Sequence, residues 1–533
     1  MNFLNRIWLN IWKGKPPSLT LLFINLSSAC ILMMPLIYIL SRAISSPWEK
    51  WSVIFRSRIP TLLWDTISLA LTVALFTTVI GVILSWLTEY TDLAFKRYMR
   101  LIFTLPLVFP PYIGALTYII IFGRRGVMYS LTGNSIIDVF SFFSVAFILS
   151  MFTFPYTYLT ISGSMRRISG NYEEAGRSCG APYSTIFMRV LLPLVKPAIL
   201  SSSMIIIFYI MSDFGGVAML RYTTFTSSIY FQMIGKLDRS GAAILSTLLI
   251  VFGFLLLALK AQILKKVSFY QSPKSNRIKN PIKLGKLKAL AWIFILFIIF
   301  FSLILPLSTL TIWSIKAIHQ GAVGIKSLYY IKNSLVVSIG AVLITMTLSL
   351  PIAYMKYRHP AKITSVLNNI CHLGSIVPGI LLALGIVFIT NRYLTFMVGS
   401  QLILIIGHSM RFIPRNLQSA EASMSLIPPA LDETAFSLGK KFSTVLYKVI
   451  LPTVSPGVLS GGAMVLVSSL KELPMTLMLR PPGYDTLSVR LWLSASDGFY
   501  INAAPSGLFI VLASIIPLYY LVKKEKVKEN GIS

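Results

Sequence analysis

The stretch EEAGRSCGAPYSTIFMRVLLPLVKP, Glu173 to Pro197, decides the fold, because a second stretch repeats its pattern. That second stretch is DETAFSLGKKFSTVLYKVILPTVSP, Asp432 to Pro456. Each opens with two acids, continues through a glycine and a Leu-Pro step, and ends in a proline. Both lie between strongly apolar segments. A chain that carries one polar pattern twice is expected to consist of two repeats.

The same register extends beyond the two stretches. From the polar stretches onward, matched residues differ by 259 in residue number, as 433 minus 174 shows. Earlier in each half they differ by 268, as 333 minus 65 shows. The pairs at the first distance are Glu174 and Glu433, Gly180 and Gly439, Pro193 and Pro452, Pro197 and Pro456, and Asp213 and Glu472. The pairs at the second distance are Asp65 and Asn333, and Pro110 and Pro378. The sequence therefore predicts two parallel halves around a pseudo-two-fold axis.

Composition places this repeat in a membrane. The chain has 533 residues, of which 55% are hydrophobic and 12% charged, and its mean hydropathy is +0.76. Its apolar runs reach the roughly 20 residues that a helix needs to cross a bilayer. Although the formal net charge is +31, Lys and Arg fall mostly in short loops between apolar runs, which is typical of membrane orientation. A lipid bilayer is therefore the expected partner, and nucleic acid is not.

The apolar runs predict an all-α protein with about twelve membrane-spanning helices. The first is interpreted as a retained span, and the basic loops place both termini in the cytoplasm. Cys30, Cys179, Cys371 and the four histidines show no spacing typical of disulfides or of a metal site. The predicted spans are 19–41, 62–88, 99–122, 136–162, 190–212, 242–264, 289–316, 333–355, 365–390, 398–417, 449–470 and 503–522.

A basic, apolar-poor segment separates the two halves. It runs from Lys265 to Lys288 and is rich in Lys, Pro, Ser and Asn, which predicts a solvated cytoplasmic linker; binding of lipid headgroups is the alternative. The predicted organisation is a first half over 1–264, a linker over 265–288 and a second half over 289–533.

Each polar stretch begins with an amphipathic pattern. In the second copy, Leu431, Ala435 and Leu438 are spaced by four and three residues, which places them on one helical face. A glycine, a further turn and the Leu-Pro step follow in both copies. A short helix of this kind can dock in a partner's groove and transmit displacement to the next span. A helix lying among lipid headgroups is the alternative.

This spacing resembles the EAA loop of the membrane subunits of binding-protein-dependent ABC importers. The two copies are called here the first EAA segment, 168–193, and the second EAA segment, 427–452. Gly176 and Thr434 stand where alanine is usual. The resemblance implies a type I importer permease with two homologous six-helix halves. It also implies that the residues contacting the ATPase are Glu174, Ala175, Gly180, Leu192, Pro193, Glu433, Ala435, Gly439, Leu451 and Pro452.

The same resemblance implies the partners. Two copies of a cytoplasmic ABC ATPase would bind the EAA segments, and a periplasmic solute-binding protein would deliver the solute at a bacterial inner membrane. The chain has no GxxxxGK[ST] phosphate loop, so ATP and Mg²⁺ are expected on the ATPase subunits and no cofactor on this chain. The chain is accordingly expected to be a translocation subunit working by alternating access, and not an enzyme.

Two further segments, Ser212–Tyr230 and Lys471–Trp492, resemble those of ferric iron permeases. Fe(III) prefers carboxylate and phenolate oxygens. Acids and tyrosines in these segments are therefore candidates for the translocation path or outer gate, with no metal ligand assigned among them: Asp213, Tyr222, Glu472, Tyr484 and Asp485. A cap or salt bridge at a helix end is the alternative for Asp213 and Glu472.

Arginines in the same loops are candidates for docking the binding protein, namely Arg221, Arg480 and Arg490. Charge complementarity would guide the encounter, and ordinary solvated arginines are the alternative. Pro110 and Pro378 interrupt the third and ninth predicted spans at equivalent places. Such breaks flank a pathway or are simple packing kinks.

Other functions remain compatible with the sequence. The same machinery imports thiamine, a polyamine or an organophosphonate in related permeases. An ion-coupled secondary transporter also fits two halves of six spans, but it would need ionisable groups within the spans and leaves the EAA segments unexplained. A structural or lipid-organising membrane protein would show no dependence on nucleotide.

Overall fold

The computed structural model describes residue 12 and residues 16–124, 126–134, 137–265, 281–375 and 377–529. Over these residues the backbone is helical, and the only strand-like feature is an isolated parallel bridge between Thr91 and Ile282. The predicted all-α class is therefore confirmed. Most of the predicted linker, residues 266–280, lies outside the described residues.

Thirteen α-helices precede the linker. They are α1 Leu19–Ile44, α2 Trp48–Ser57, α3 Ile59–Tyr90, α4 Lys96–Thr104, α5 Pro111–Phe122, α6 Val127–Thr132, α7 Phe142–Arg167, α8 Asn171–Ser178, α9 Tyr183–Ile186, α10 Leu192–Ser212, α11 Gly215–Met219, α12 Phe225–Tyr230 and α13 Arg239–Lys265.

Twelve α-helices follow it among the described residues. They are α14 Leu287–Ile299, α15 Leu305–His319, α16 Ile325–Arg358, α17 Lys362–Cys371, α18 Gly379–Tyr393, α19 Gln401–Met424, α20 Pro429–Ser437, α21 Phe442–Val445, α22 Leu451–Leu470, α23 Pro474–Leu479, α24 Leu487–Ser496 and α25 Tyr500–Glu529. Single turns of 3₁₀ helix lie at Leu105–Val108, Leu373–Ser375 and Thr395–Met397, and π turns at Phe187–Leu191, Phe231–Gly235, Phe300–Ile304 and Leu446–Ile450.

The described residues do not confirm the predicted number of spans. Within the described residues, eight helices are long and apolar enough to cross a membrane, or ten if each of two bent helix pairs counts as one span. The exact count of twelve is therefore not confirmed. The predicted span 398–417 corresponds to α19, which is long enough but falls outside this set. The predicted span 503–522 corresponds to α25, in which the segment Tyr500–Ile515 is apolar.

The two bent pairs lie where the sequence predicts interruptions. Around Pro110 the chain turns by 88°, and around Pro378 it turns by 105°. Both prolines are extended, with ψ values of 145° and 138°, and each immediately precedes a new helix. Proline removes a backbone donor and keeps the residue before it out of the helical region, so a helix ends there and another begins.

The described chain forms two compact units that cut across the sequence halves. One contains residues 1–46, 323–494 and 512–533, and the other contains 47–322 and 495–511. In the first unit α1 packs on α16, α17 and α18, so closely that a Cβ at Gly385 would lie 2.6 Å from Pro35 Cβ. In the second, the hydroxyl of Tyr118 in α5 donates to the Phe301 carbonyl at 2.8 Å.

Each unit thus includes a helix from the other half of the sequence. Helix α1 packs with the second repeat, while α14 and α15 belong to the unit of the first repeat. The division into 1–264, 265–288 and 289–533 describes repeats in the sequence and stays a prediction.

Each unit is built around a bundle of three long helices, α3, α7 and α10 in one and α16, α19 and α22 in the other. Small residues allow close packing in both. A Cβ at Gly81 would lie 2.6 Å from Thr157 Oγ1, and one at Gly461 would lie 2.7 Å from Asn416 Oδ1. Such contacts replace the hydrophobic driving force that is missing between helices in lipid. Each EAA segment connects two helices of its bundle, the first between α7 and α10 and the second between α19 and α22.

Candidate functional site

The two EAA segments have the same structure, turn for turn. The first consists of α8, a glycine, α9, a π turn and then α10; the second consists of α20, a glycine, α21, a π turn and then α22. The π turns Phe187–Leu191 and Leu446–Ile450 are 259 residues apart, as are the first residues of α10 and α22. The sequence repeat is therefore also a structural repeat.

Each glycine ends its first helix in a Schellman motif. Gly180 and Gly439 have φ values of 75° and 72°, a left-handed conformation that costs other residues about 1–2 kcal/mol. The Gly180 N–H donates to the Arg177 carbonyl at 2.9 Å, and the next N–H donates to the Gly176 carbonyl at 3.1 Å. The second segment repeats both bonds, at 2.9 and 3.1 Å. This motif sets the angle between the short helix and the following turn.

The Leu-Pro step explains the π turn. Pro193 and Pro452 lack the N–H that would bond four residues back, and the proline ring crowds that carbonyl. The preceding turn widens in response: the Leu192 N–H donates to the Phe187 carbonyl five residues back, and Leu451 does the same to Leu446. The π turns therefore follow from sequence.

The residues predicted to contact an ATPase are mostly accessible. Exposed members of the set are Glu174, Ala175, Gly180, Pro193, Glu433, Gly439 and Pro452, and the half-buried ones are Leu192, Ala435 and Leu451. Glutamates on an exposed helix can meet a partner without rearrangement of the segment. Their role stays a prediction.

The acid before each of these glutamates is buried, and sequence reasoning missed its role. Asp432, 3% exposed, receives hydrogen bonds from Arg358 Nε at 2.5 Å and Nη2 at 3.2 Å. Arg358 is the last residue of α16 and also donates to the Ile427 carbonyl at 3.2 Å. A buried bidentate pair therefore links α20 directly to the end of a span.

The first segment holds its buried acid differently. Glu173, 4% exposed, accepts a hydrogen bond at 2.6 Å from Arg177, one turn later in the same helix. Apolar packing joins this segment to its bundle instead: Ile186 and Leu191 pack in a cluster with Tyr90 of α3 and Met165 of α7. In the sequence, these two buried acids are marked only by their position directly before the motif glutamates.

The tyrosines predicted at the outer gate are structural in their contacts. The Tyr222 hydroxyl donates to the Asp65 carbonyl at 3.4 Å, and the Tyr484 hydroxyl donates to the Asn333 carbonyl at 3.3 Å. The Asn333 side chain in turn donates to the Asp485 carbonyl at 2.9 Å. Each loop is thereby held against the start of α3 or α16, the same attachment in both repeats.

Asp213 and Glu472 occupy matched positions but make different contacts. Asp213 Oδ2 accepts the Val217 N–H at 3.1 Å, which caps the short helix α11. Glu472, 6% exposed, accepts a hydrogen bond from Arg411 Nε at 2.9 Å. Asp213 therefore makes the contact of a helix cap and Glu472 that of a salt bridge, as the alternative to a role in the translocation path expects. Among the described residues no group of three or more His, Cys, Asp or Glu is arranged to hold a metal ion.

The three candidate docking arginines lie in different surroundings. Arg221 is exposed, has a left-handed φ of 55°, and its guanidinium lies 5.3 Å from the centre of the Phe140 ring. Arg480 forms an ion pair with Asp485. Arg490 lies 5.7 Å from the centre of the Tyr330 ring. The proposed outer-gate acid Asp485 is therefore neutralised by a proposed docking residue.

A helical chain with eight to ten candidate spans and a duplicated, exposed helix–glycine–helix segment is a polytopic membrane permease built from two repeats. The chain belongs to the family of binding-protein-dependent transport system inner membrane components, whose sequence profile matches residues 77–269 and 345–523. It is the non-catalytic translocation subunit of an ABC importer, a family that works with binding proteins and with ATPase subunits that bind the ATP.

Proteins with a similar sequence match this chain over different shares of its length. The Fe(3+)-transport system permease protein FbpB 2 of Haemophilus influenzae is 28% identical over 96% of this chain and 99% of its own length. The ferric transport system permease protein FbpB of Actinobacillus pleuropneumoniae is 22% identical over 78% and 64%. The molybdenum transport system permease protein ModB of Mycobacterium tuberculosis is 27% identical, over 41% of this chain and 84% of its own length.

Proposed function

We propose that the chain imports ferric iron, delivered by a periplasmic solute-binding protein, across the inner membrane of a bacterium. The observation that carries this proposal is the match to a Fe(3+)-transport permease along 96% of the chain and 99% of that relative. The molybdenum permease matches only 41% of the chain, as expected of a one-repeat protein. The fused two-repeat organisation therefore favours iron over that oxyanion.

The EAA segments are the proposed sites of coupling to ATP. Two copies of a cytoplasmic ATPase bind α8 and α20, with Glu174 and Glu433 on the exposed faces that meet them. Closure of the ATPase pair displaces each helix, and the rigid Schellman and π turns carry the displacement into α10 and α22. The two repeats then alternate between outward and inward access. Both termini lie in the cytoplasm on this scheme.

The outer loops are the proposed site of delivery. Arg221, Arg480 and Arg490 meet acidic residues of the binding protein, and the solute passes the matched positions Asp213 and Glu472. Tyr222, Tyr484 and Asp485 keep the surrounding loops in place. Their hydrogen bonds to the starts of α3 and α16 support this positioning role.

Uptake by proteoliposomes tests the proposal. The chain is reconstituted with its ATPase and binding protein, and radioactive Fe(III), thiamine, putrescine and molybdate are compared with and without ATP. We expect ATP-dependent accumulation of iron that is lost in the double variant Glu174→Ala, Glu433→Ala. Glu49→Ala, which removes an exposed acid outside the EAA segments, is the matched control and should transport normally.

The other outcomes separate the alternatives. ATP-dependent uptake of a different solute would keep the coupling assignment and exclude iron. Uptake that ignores ATP and the two glutamates but follows a proton or sodium gradient would identify a secondary transporter instead. Loss of uptake in the control as well would remove the special role of the EAA glutamates.

A further inference from the structure

One helix of the second repeat carries charges that its counterpart in the first repeat lacks. At positions 259 residues apart, α19 and the end of α22 place cations where α7 and the end of α10 place aromatic or hydroxyl side chains. The pairs are Arg411 and Phe152, Arg415 and Tyr156, and Lys471 and Ser212. This difference explains why α7 is apolar enough to count as a span and α19 is not.

Two of these cations lie near the middle of α19. Arg411 and Arg415 stand 10 and 14 residues after Gln401, on either side of the middle of a 24-residue helix. Helix α19 packs along α16 and α22, both within candidate spans, so we expect the middle of its 24 residues, which rise about 1.5 Å each, to lie at membrane depth. Charged side chains at that depth face protein or a water-filled path, and mark routes for solutes or ions.

The charges also collect where helices are broken. Arg411 Nη1 donates at 3.3 Å to the Val377 carbonyl, which lies at the 105° bend before α18. A Cβ added at Gly379 would lie 2.6 Å from Glu472 Oε1, so this carboxylate lies against the first turn of α18. Broken helices near the bilayer centre are typical of substrate sites in transporters.

Glu472 is therefore already engaged by positive charge. Arg411 donates to it at 2.9 Å, and the helix dipole of α18 presents its positive end at Gly379. A carboxylate held in this way is a poor ligand for Fe(III), because binding the metal would require it to leave Arg411. Groups other than Glu472 must therefore bind the solute along the path.

Arg415 and Lys471 extend the positive region. Arg415 is exposed, donates to the Ser468 hydroxyl in the last turn of α22, and lies 5.3 Å from the centre of the Phe412 ring. Lys471 stands three residues after Ser468, about one helical turn further along the chain. We call Arg411, Arg415, Lys471 and Glu472 the cationic cluster, which combines three basic side chains with one acid.

We propose that the cationic cluster contacts oxygen ligands of the solute, and that iron crosses the membrane as an anionic Fe(III) complex with carboxylate or phosphate groups. This deepens the proposed function and rests on it. A bare trivalent cation would be repelled by the cluster, whereas Arg415 offers the planar donors that bind carboxylate or phosphate in pairs. The first repeat has Phe152, Tyr156 and Ser212 at these positions and therefore offers no cationic contact there.

Binding of defined probes to the full chain in nanodiscs tests this assignment without transport. The probes are ⁵⁵Fe(III) with excess ¹⁴C-citrate, citrate alone, phosphate and molybdate. We expect iron and citrate to bind together in a fixed ratio. Arg415→Gln and Lys471→Gln should each weaken binding by roughly tenfold to a hundredfold, as for loss of one charge-assisted hydrogen bond. Lys471→Arg should retain it.

The control variant is Arg392→Gln, which removes an exposed arginine at the end of α18 and should leave binding unchanged. Absence of any binding by the intact chain, or binding that both Gln variants leave intact, would overturn the assignment. Binding of citrate, phosphate or molybdate with exclusion of the iron complex would support the oxyanion contact but overturn iron as the cargo. In that case the uptake experiment would show another solute, so failure of the two proposals is distinguishable.

Discussion

The ion pair between Arg358 and Asp432 should make the second EAA segment far more sensitive to loss of its buried acid than the first. The side chains of this pair are 7% and 4% exposed, and the carboxylate accepts two hydrogen bonds from the guanidinium. Removing one partner of a buried pair costs about 3–5 kcal/mol, because the other charge stays buried without compensation. Asp432→Asn should therefore release α20 from the end of α16.

Glu173→Gln is the matched variant in the first repeat. Arg177, an ion-pair partner of Glu173, is 47% exposed and belongs to the same helix, so this arginine can turn to water when the charge is lost. Unlike Asp432→Asn, the change leaves no buried guanidinium from this pair without compensation, and its cost should be smaller. Since apolar packing joins α9 to its bundle, the first segment should stay in place.

Limited proteolysis and uptake measure the difference. If opening of α20 limits proteolysis, a loss of about 3–5 kcal/mol implies that Asp432→Asn speeds cleavage between Ile427 and Gly439 by one hundredfold or more. The same variant should abolish ATP-dependent uptake. Glu173→Gln should change both readouts much less than Asp432→Asn. The double variant Arg358→Met, Asp432→Leu should slow cleavage again, because it removes both charges. Equal sensitivity of the two segments would refute this reasoning.

Three further predictions concern the backbone and its immediate surroundings. Gly176→Ala should destabilise the first EAA segment by about 1–3 kcal/mol through overpacking, since the new Cβ would lie 2.8 Å from Ile186 Cγ1 and 3.0 Å from Cδ1, and adding Ile186→Val, which removes Cδ1, should restore part of the melting temperature. Gly439→Ala should cost about 1–2 kcal/mol from its left-handed φ, read as faster hydrogen exchange across the segment. The pKa of Asp92 is lowered, chiefly by the Leu284 N–H, so its contact is fully present above pH 3.8 and is lost as the pH falls through the lowered value; the protection of the Leu284 amide relative to its intrinsic exchange rate should persist at neutral pH and be lost only in acid or in Asp92→Asn.

The Gly176 prediction has an internal control in the second repeat. There, Ala435 stands at the position of Gly176, and Val445 at the position of Ile186. One carbon is added on one side and one removed on the other, so the total volume is the same. Val445 is 1% exposed, as is Ile186. The departure of Gly176 from the usual alanine therefore has a packing reason.

Features set by short-range geometry were predictable from sequence. The amphipathic spacing, the glycine and the Leu-Pro step each constrain the backbone within a few residues, and the structure repeats them at the predicted distance. The bends at Pro110 and Pro378 follow for the same reason. Hydropathy alone, however, cannot tell a straight span from a bent pair, and among the described residues the predicted spans outside the set of ten are 398–417 and 503–522.

Features set by long-range contacts were not predictable. The partner of Asp432 lies 74 residues earlier in the chain, and nothing local to either residue identifies the pair. The packing of α1 on α16, α17 and α18 joins residues more than three hundred positions apart. Helices α14 and α15 likewise belong with the first repeat although they follow it in sequence, and a division by sequence order misses both.

The asymmetry between the repeats itself constrains function. Features of the backbone, such as the Schellman motifs, the π turns and the attachments of the outer loops, occur in both repeats at matched positions. Ion pairs between helices differ at these positions: Arg358–Asp432 and Arg411–Glu472 belong to the second repeat, whereas the buried Glu173 of the first repeat pairs with Arg177 of its own helix. Two identical chains around a two-fold axis would have to place such charges twice. Fusion of the repeats removes that requirement, so one repeat can specialise in contacting a charged solute while both keep the backbone geometry that an ATPase pair would move.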